Sequence, residues 1–509
     1  MPRNKKLIVV ISAIMVFALA LAGCGQSSNE QAGVEKDTLV VAQSADAKSL
    51  DPHATNDSTS SNVAKQIYNT LVESTEDMEI VPGLAKEWEQ VDDLTWEFKL
   101  RQGVKFHNGE ELKASDVKFT FERMLQSSKV SHIVEAIDTV EVVDDYTVRI
   151  KTKEPFGPLL AHLAHSASSI LNEKAVKEAG DNYGQNPVGT GPFKFKSWQA
   201  GDNIVLERFD DYFRGPSQIK QITYRVIPEG TNRTIALETG EVDIAYGIEP
   251  IDQDRVANHE DLELLKQPAL AMYYVGFNVE KEPFDNKLVR KAISHAINTD
   301  DIIEAVLNGA GVKAVSPIAP RVFGYNDQLE GYEYNPEKAK ELLKEAGYEN
   351  GFETKIMISG SQANQIAQVV QAQLKEVGID VAIEQIEWGT YIDKTASGDH
   401  EMFFLGWGTV TADADYGLYP MFHSASKGAA GNRFFYENKE LDELLEKGKT
   451  STDPKEREEA YKKAQEIIVD DAPLVPTHYK IETVGIQKNV KGFKIHPAGH
   501  HSLYNVHFE

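Results

Sequence analysis

Across residues 38–509, helical and strand-like periodicities alternate, and no Pro/Ser-rich linker separates them. That length exceeds the ~100 to 200 residues of a single domain, so two or three domains are expected, with the chain crossing between lobes more than once. Thr38-Leu39-Val40-Val41-Ala42 predicts a strand, and Ser115 is placed to cap a helix through Val117, Phe119, Phe121 and Met124. A strand over 222–227, a helix over 231–238 and a strand over 242–245 form a β-α-β unit. Further on, Asn335 is an N-cap with Pro336 at the first helical position, and Ala339, Leu342, Leu343 and Ala346 make an apolar stripe that Gly347 ends. A second stripe, Ile366, Val369, Val370, Leu374 and Val377, stops at Gly378, and a strand over 379–386 follows at once. The fold class is α/β with mixed sheets.

The N-terminus sets the compartment. A basic start (Arg3, Lys5, Lys6) precedes an apolar run over 7–22, and Leu21-Ala22-Gly23-Cys24 closes it. The run is shorter than the ~20 residues a spanning helix needs, and small residues lead into the cysteine, so an export signal is the better reading. Cys24 is the only cysteine, which rules out an intramolecular disulfide. Residues 25–37 are too polar to pack and read as a tether.

The formal net charge of −26 disfavours nucleic-acid binding, which needs a basic surface, and favours a soluble monomer. Enzyme motifs fail one by one. Gly448-Lys449-Thr450 lacks the glycine of a phosphate loop, since Glu443 stands there. Gly189-Thr190-Gly191-Pro192 lacks the third glycine of a dinucleotide turn, and His400-Glu401 meets Phe404 where a second zinc ligand belongs. No G-x-S-x-G is present. The cluster His496, His500, His501 and His507 has no carboxylate or thiol close in sequence, so hydrogen-bonding histidines are expected there. No cofactor is expected.

One stretch resists a bland reading: GWGTVTADADYGLYP, residues 406–420, directly after the apolar run Met402-Phe403-Phe404-Leu405. As an EF-hand, Asp413-x-Asp415 fails, because Tyr416-Gly417 breaks the ligand order and Ser424 holds the twelfth position. A turn-capping acid pair, a metal site and a grip on a cationic ligand stay open from these residues alone.

The phrases VPGLAKEWEQVDDLTWEFKLRQGVKFHNGEELKASDVKFTFERML, NPVGTGPFKFKSW, YYVGFNVEKEPFDNKLVRKAISHAIN, GAGVKAVSPIAPRVFGYND and YNPEKAKELLKEAGY resemble, in the same order, the family-5 extracellular solute-binding proteins of ABC importers. The Leu-Ala-Gly-Cys stretch resembles a lipobox, which implies a signal peptide over 1–23 and a lipid-anchored tether over 24–37 held to the membrane through Cys24. The resemblance implies a three-lobed, periplasmic-binding-protein-like receptor with a hinged cleft: lobe I from 38–56, 187–266 and 484–509, an intermediate lobe II from 57–186, and lobe III from 267–483. It further implies a short peptide as ligand, delivered to a membrane permease driven by cytoplasmic ATPases.

In relatives the Gly-Trp stretch lines the cleft, so Trp407 would cover the ligand and the backbone of Gly408 and Thr409 would bind its main chain, with Thr411 and Tyr416 beside them. The aspartate that meets a dipeptide's ammonium is replaced here by Val410, and Asp413 or Asp415 would take its role. In place of the arginine that grips a dipeptide carboxylate stand Asn364 and Gln365, which can donate hydrogen bonds without the charge. TVTADADYGLYPMFHS and GNRFFYEN resemble the glutathione-type branch, with Arg433 as the cation for a carboxylate. The rivals are a nickel, metal-chelate or haem receptor of the same fold using His423, His496, His500 or His501; a secreted metal-dependent enzyme using Asp413 and Asp415; and a receptor that senses peptides without importing them. If Cys24 is an anchor alone, Cys24→Ala releases soluble protein with unchanged ligand affinity. Retention of that variant in the membrane fraction, or loss of binding, would refute the anchor reading.

Overall fold

Two long strands, Leu262–Phe277 and Leu474–Gln487, run antiparallel through the middle of an eleven-stranded mixed sheet. The computed structural model describes residues 36–55 and 57–509, so Cys24, the expected signal and all of the tether but Lys36 and Asp37 lie outside the described residues. On one side of the long pair come Ile244–Tyr246, Thr38–Gln43, Gln221–Val226, Asn203–Arg208 and Phe193–Gln199; on the other, Met402–Gly408, Phe352–Ile358 and Ile379–Gln385. Gly311–Lys313 adds to Leu474–Gln487. The expected β-α-β unit is present: Gln221–Val226 and Ile244–Tyr246 are joined by helix Gly230–Glu238, and both pair parallel to Thr38–Gln43, which lies between them.

The inner strands Thr38–Gln43, Ile244–Tyr246 and Met402–Gly408 carry apolar residues on both faces, while the outer strands Phe193–Gln199 and Ile379–Gln385 are partly exposed. Met402 and Phe404 enter one buried cluster with Val275 and Phe277, while Phe403 enters another with Met272 and Tyr274. The period-two alternation of strand side chains makes this split. Leu39 and Val41 belong likewise to a different cluster from Ala42. A separate four-stranded antiparallel sheet, Ala85–Asp92, Thr95–Leu100, Thr147–Thr152 and Ile137–Asp144, packs on helix Ala114–Leu125 through Val117, Phe121 and Met124.

Two details differ from the sequence expectation. Ser115 does not cap its helix: the helix starts one residue earlier, and the Asp116 carboxylate accepts from Lys113 N at 3.0 Å. Helix Ser58–Ile67 and residues Leu171, Val176 and Tyr183, expected in lobe II, pack instead with Leu39, Val41 and Tyr224, because Val63, Ala64 and Ile67 turn toward the central sheet. Helix starts at Asn335-Pro336 and stops at Gly347 and Gly378 match the reading, the two glycines having φ of 91° each. Among the described residues, no helix is long and apolar enough to cross a membrane.

His496, His500 and His501 of the C-terminal stretch are interior, while His507 is half-buried. His496 and His500 stack with centroids 4.8 Å apart, and His496 Nε2 lies 3.1 Å from Ser74 Oγ. Burial pushes His53 and His501 down to about 4, His165 and His496 down to about 3, and His500 well below its ordinary value of 6.5. Unfolded chains take up these protons near 6.5; the folded protein takes up those of His53, His165, His496 and His501 only near 3 to 4. Their stabilising effect is therefore complete above pH 6.5 and shrinks as pH falls through the unfolded value toward 4. Calorimetric melting should fall steadily from pH 7 to pH 5, a window above the ordinary carboxylate range, with each such histidine costing about 1 to 2 kcal/mol by pH 5. An unchanged melting temperature across that window would contradict burial of these groups as neutral imidazoles.

Candidate functional site

The long strand pair breaks register between Pro268, which faces Ile481, and Met272, which faces Tyr479. Four steps along one strand match two along the other, so residues 269–271 leave that ladder. Together with Gly408, Val410 and Gly247 they line a cleft of about 320 Å³ whose far wall carries Gln43, Asn62, Arg233, Tyr246 and His501. Gln43 is the last residue of its strand, so the cleft opens at the carboxyl end of the central parallel strands, where open α/β sheets receive ligands.

The chemistry of the cleft is polar and charged. Lys480 and Glu482, two apart on one strand and hence on one face, form an ion pair of 2.7 Å. Gln43 is 1% exposed, and neither amide atom has a hydrogen-bond partner, although the group can both donate and accept. Arg233 is 3% exposed and fully engaged. Its guanidinium donates to the carbonyls of Tyr246 (3.1 Å), Ile227 (2.9 Å), Pro228 (2.8 Å) and Gly247 (2.9 Å), and burial pulls its pKa down. It holds the cleft wall and adds positive potential.

A second space, of about 670 Å³, lies on the other side of Trp407 and Gly408, with Trp407 lining one space and Gly408 the other. His132, Ile133, Phe156 and His162 face Trp407, Asp415, Tyr416 and Tyr419 across it. Trp407 Nε1–H donates to Tyr416 O at 2.9 Å, which fixes the indole.

Of the residues singled out in the sequence, the structure brings together Trp407, Gly408, Asp415 and Tyr416. Thr409 and Thr411 are buried outside both spaces: Thr409 N donates to Leu270 O at 2.8 Å, and Thr411 Oγ1 accepts from Asp413 N at 3.4 Å. Asp413 is not free for a ligand. Its carboxylate caps helix Ala414–Phe422 by accepting from Asp415 N (3.0 Å), and it takes both bonds from Arg457 Nη2, at 2.7 and 2.8 Å. Burial is the largest single influence on the Arg457 pKa and lowers it, but the Asp413 charge and hydrogen bonds together with Tyr461 outweigh it, and the net shift is upward.

Three other expectations are corrected. Asn364 is spent on Gln385 (2.9 Å) and Gln368 (2.6 Å), and Gln365 borders a shallow depression beside Asp301 and Val306 on another part of the surface. Arg433 Nη1 donates to Ile392 O (2.9 Å) and Thr395 Oγ1 (2.7 Å), pinning helix Trp388–Ser397. Among the described residues, no three His, Cys, Asp or Glu side chains come together as a metal would need. Sequence reasoning missed Gln43, Arg233, Lys480 and Glu482; the one local signal was the Lys-x-Glu spacing within a strand.

Residues 79–429 match the family described as bacterial extracellular solute-binding proteins, family 5. The chain belongs to that family. As a family-5 receptor of ABC importers it is similar along nearly its whole length to the dipeptide-binding protein of Escherichia coli K12, with 33% identity over 94% of this chain and 96% of the relative. The glutathione-binding protein GsiB of Pectobacterium atrosepticum is 35% identical over 90% of this chain and 91% of its own. Among solved structures, the periplasmic binding protein DppA of Helicobacter pylori in complex with the peptide STSA has a TM-score of 0.81 and 36% identity, covering 93% of this chain and 98% of that one.

In this family-5 receptor the Asp413 and Arg457 pair is a folding element. Asp413→Asn leaves a buried guanidinium unpaired and should lower unfolding stability by about 3 to 5 kcal/mol, with ligand affinity of the folded fraction retained. Denaturant titration alongside calorimetric binding separates the two. A variant as stable as the parent but weakened in binding would return Asp413 to the ligand site.

Proposed function

We propose that this chain captures short peptides, dipeptide- to glutathione-sized, in the cleft beside Gly408, and delivers them to a membrane permease coupled to cytoplasmic ATPases. The observation that carries this reading is the cleft's chemistry. Backbone on either side of Leu270, whose own N–H and carbonyl are held by Pro497 and Thr409, borders the register break; with an unpartnered buried amide at Gln43 and an adjacent cation and anion at Lys480 and Glu482, it suits a zwitterion's main chain and both its termini. The volume of about 320 Å³ is at the lower end of the range for small-ligand sites, about 300 to 1,000 Å³. Relatives named for dipeptides and for glutathione, and one solved with STSA, support the same size class. Backbone contacts tolerate many side chains, as strand-addition modes of peptide binding do.

In this reading Glu482 takes the ammonium that the aspartate replaced by Val410 would otherwise meet, and Lys480 takes the carboxylate. In the same reading the chain has three lobes: one around Thr38–Gln43 and Gln221–Val226, with helix Ser58–Ile67; one around the four-stranded sheet; and one around Met402–Gly408, a division that the grouping of the buried clusters supports. The long strands Leu262–Phe277 and Leu474–Gln487 serve as the hinge, and Cys24 carries the lipid that holds the receptor to the outer face of the cell membrane.

Native mass spectrometry of freshly purified protein should show a co-purified peptide or thiol peptide that dissociates on activation. Calorimetry with that ligand should show Glu482→Gln weakened about 10- to 100-fold, in line with about 1.5 to 3 kcal/mol for a hydrogen bond to a charged group. Parent-like affinity in the variant would place the ammonium elsewhere.

A further inference from the structure

The space of about 670 Å³ beyond Trp407 holds an unusual pair. His162 Nδ1 lies 2.6 Å from Ile133 O. A carbonyl oxygen only accepts, so Nδ1 carries the hydrogen and Nε2 of the neutral ring is a bare acceptor. That Nε2 is sealed from solvent without a hydrogen bond, and it faces Asp415 Oδ2 at 3.7 Å. Asp415 Oδ1 is likewise buried and unpartnered, and the His162 and Asp415 side chains are only 6% and 10% exposed. Two acceptors thus converge with no donor between them, in a space both residues line.

The two lysines around this space are engaged elsewhere. Lys449 lies 3.7 Å from Glu154 and 4.4 Å from the centre of the Tyr419 ring, and Lys153 donates to Glu135 O at 2.6 Å. The ring nitrogen of His132 is 3.5 Å from the Tyr416 hydroxyl. Of the lining carboxylates, Glu154 has Lys449 and Glu135 is exposed to water; Asp415 is the buried one without a lysine or arginine partner, and a buried carboxylate is costly until it is paired. Around it stand Phe156, Trp407 and Tyr416, whose ring faces attract cations.

We infer that this space is a specificity subsite for a basic group, an ammonium or guanidinium on a ligand side chain, received by Asp415 and His162 and flanked by the faces of Trp407 and Tyr416. The inference rests on the reading that the neighbouring cleft holds a peptide main chain. Gly408 lines that cleft and Trp407 this space, so the two spaces lie on either side of the end of one strand.

Calorimetry with Ala-Ala-Ala, Arg-Ala-Ala, Ala-Arg-Ala and Ala-Ala-Arg tests it. At least one arginine peptide should bind 10-fold or more tightly than trialanine, and Asp415→Asn should bring that ratio to near one. Equal affinities for all four, or a preference that survives Asp415→Asn, would overturn the subsite. If Asp415→Asn does not fold, Trp407→Leu must reduce the same ratio, and an unchanged ratio overturns the proposal. Should no tripeptide bind, the peptide reading of the cleft fails on its own. Argininamide then decides the subsite: binding lost in Asp415→Asn supports it, and no binding to the parent overturns it.

Discussion

The pairing of Leu262–Phe277 with Leu474–Gln487 is the constraint on which the rest depends. Their ladder runs from Leu262 opposite Gln487 to Gly276 opposite Leu474, and through it the strands around Thr38–Gln43 and those around Met402–Gly408 become one sheet. A continuous sheet would leave no room for a ligand. The break between Pro268 and Met272 borders the cleft proposed for the ligand: 269–271 leave the ladder opposite Lys480, while Glu482 stays paired with Gln267. The cleft is thus a local failure of pairing held open by strong pairing on both sides, and its position follows from the register alone.

Buried charge is used in two ways. Asp413 with Arg457, and Arg233 with four carbonyls, are closed systems in which every strong group has a partner, and they fix the turn before helix Ala414–Phe422 and the wall of the cleft. Gln43, His162 and Asp415 are open: each is buried, and each keeps at least one atom without a hydrogen bond. Buried polar atoms are nearly always paired, and these open atoms border the two spaces assigned by proposal to the ligand.

The fold was largely legible in the sequence. The run Met402-Phe403-Phe404-Leu405 reads as a strand apolar on both faces, and it divides its side chains between two clusters as such a strand must. Asn335-Pro336, Gly347 and Gly378 mark helix ends by backbone chemistry that acts locally. The site was legible only in part. Asp413 and Asp415 look equivalent in a D-x-D motif, yet the helix start turns one toward Arg457, 44 residues on, and the other toward His162, more than 200 residues back. Arg433 looks like a free cation, and helix Trp388–Ser397 consumes it. The cleft itself draws on segments near 43, 233, 270, 408 and 481, and nothing in any one of them announces the others.

Amide hydrogen exchange with and without bound trialanine, or the ligand that co-purifies, is the most direct test of where the peptide lies. Protection should rise at 269–271, 406–410 and 480–482, the segments that border the register break, with little change in helix Ser361–Glu376. Confirmed binding with no added protection in those three segments, or with protection confined to Asn364 and Gln365 and their surroundings, would contradict the account.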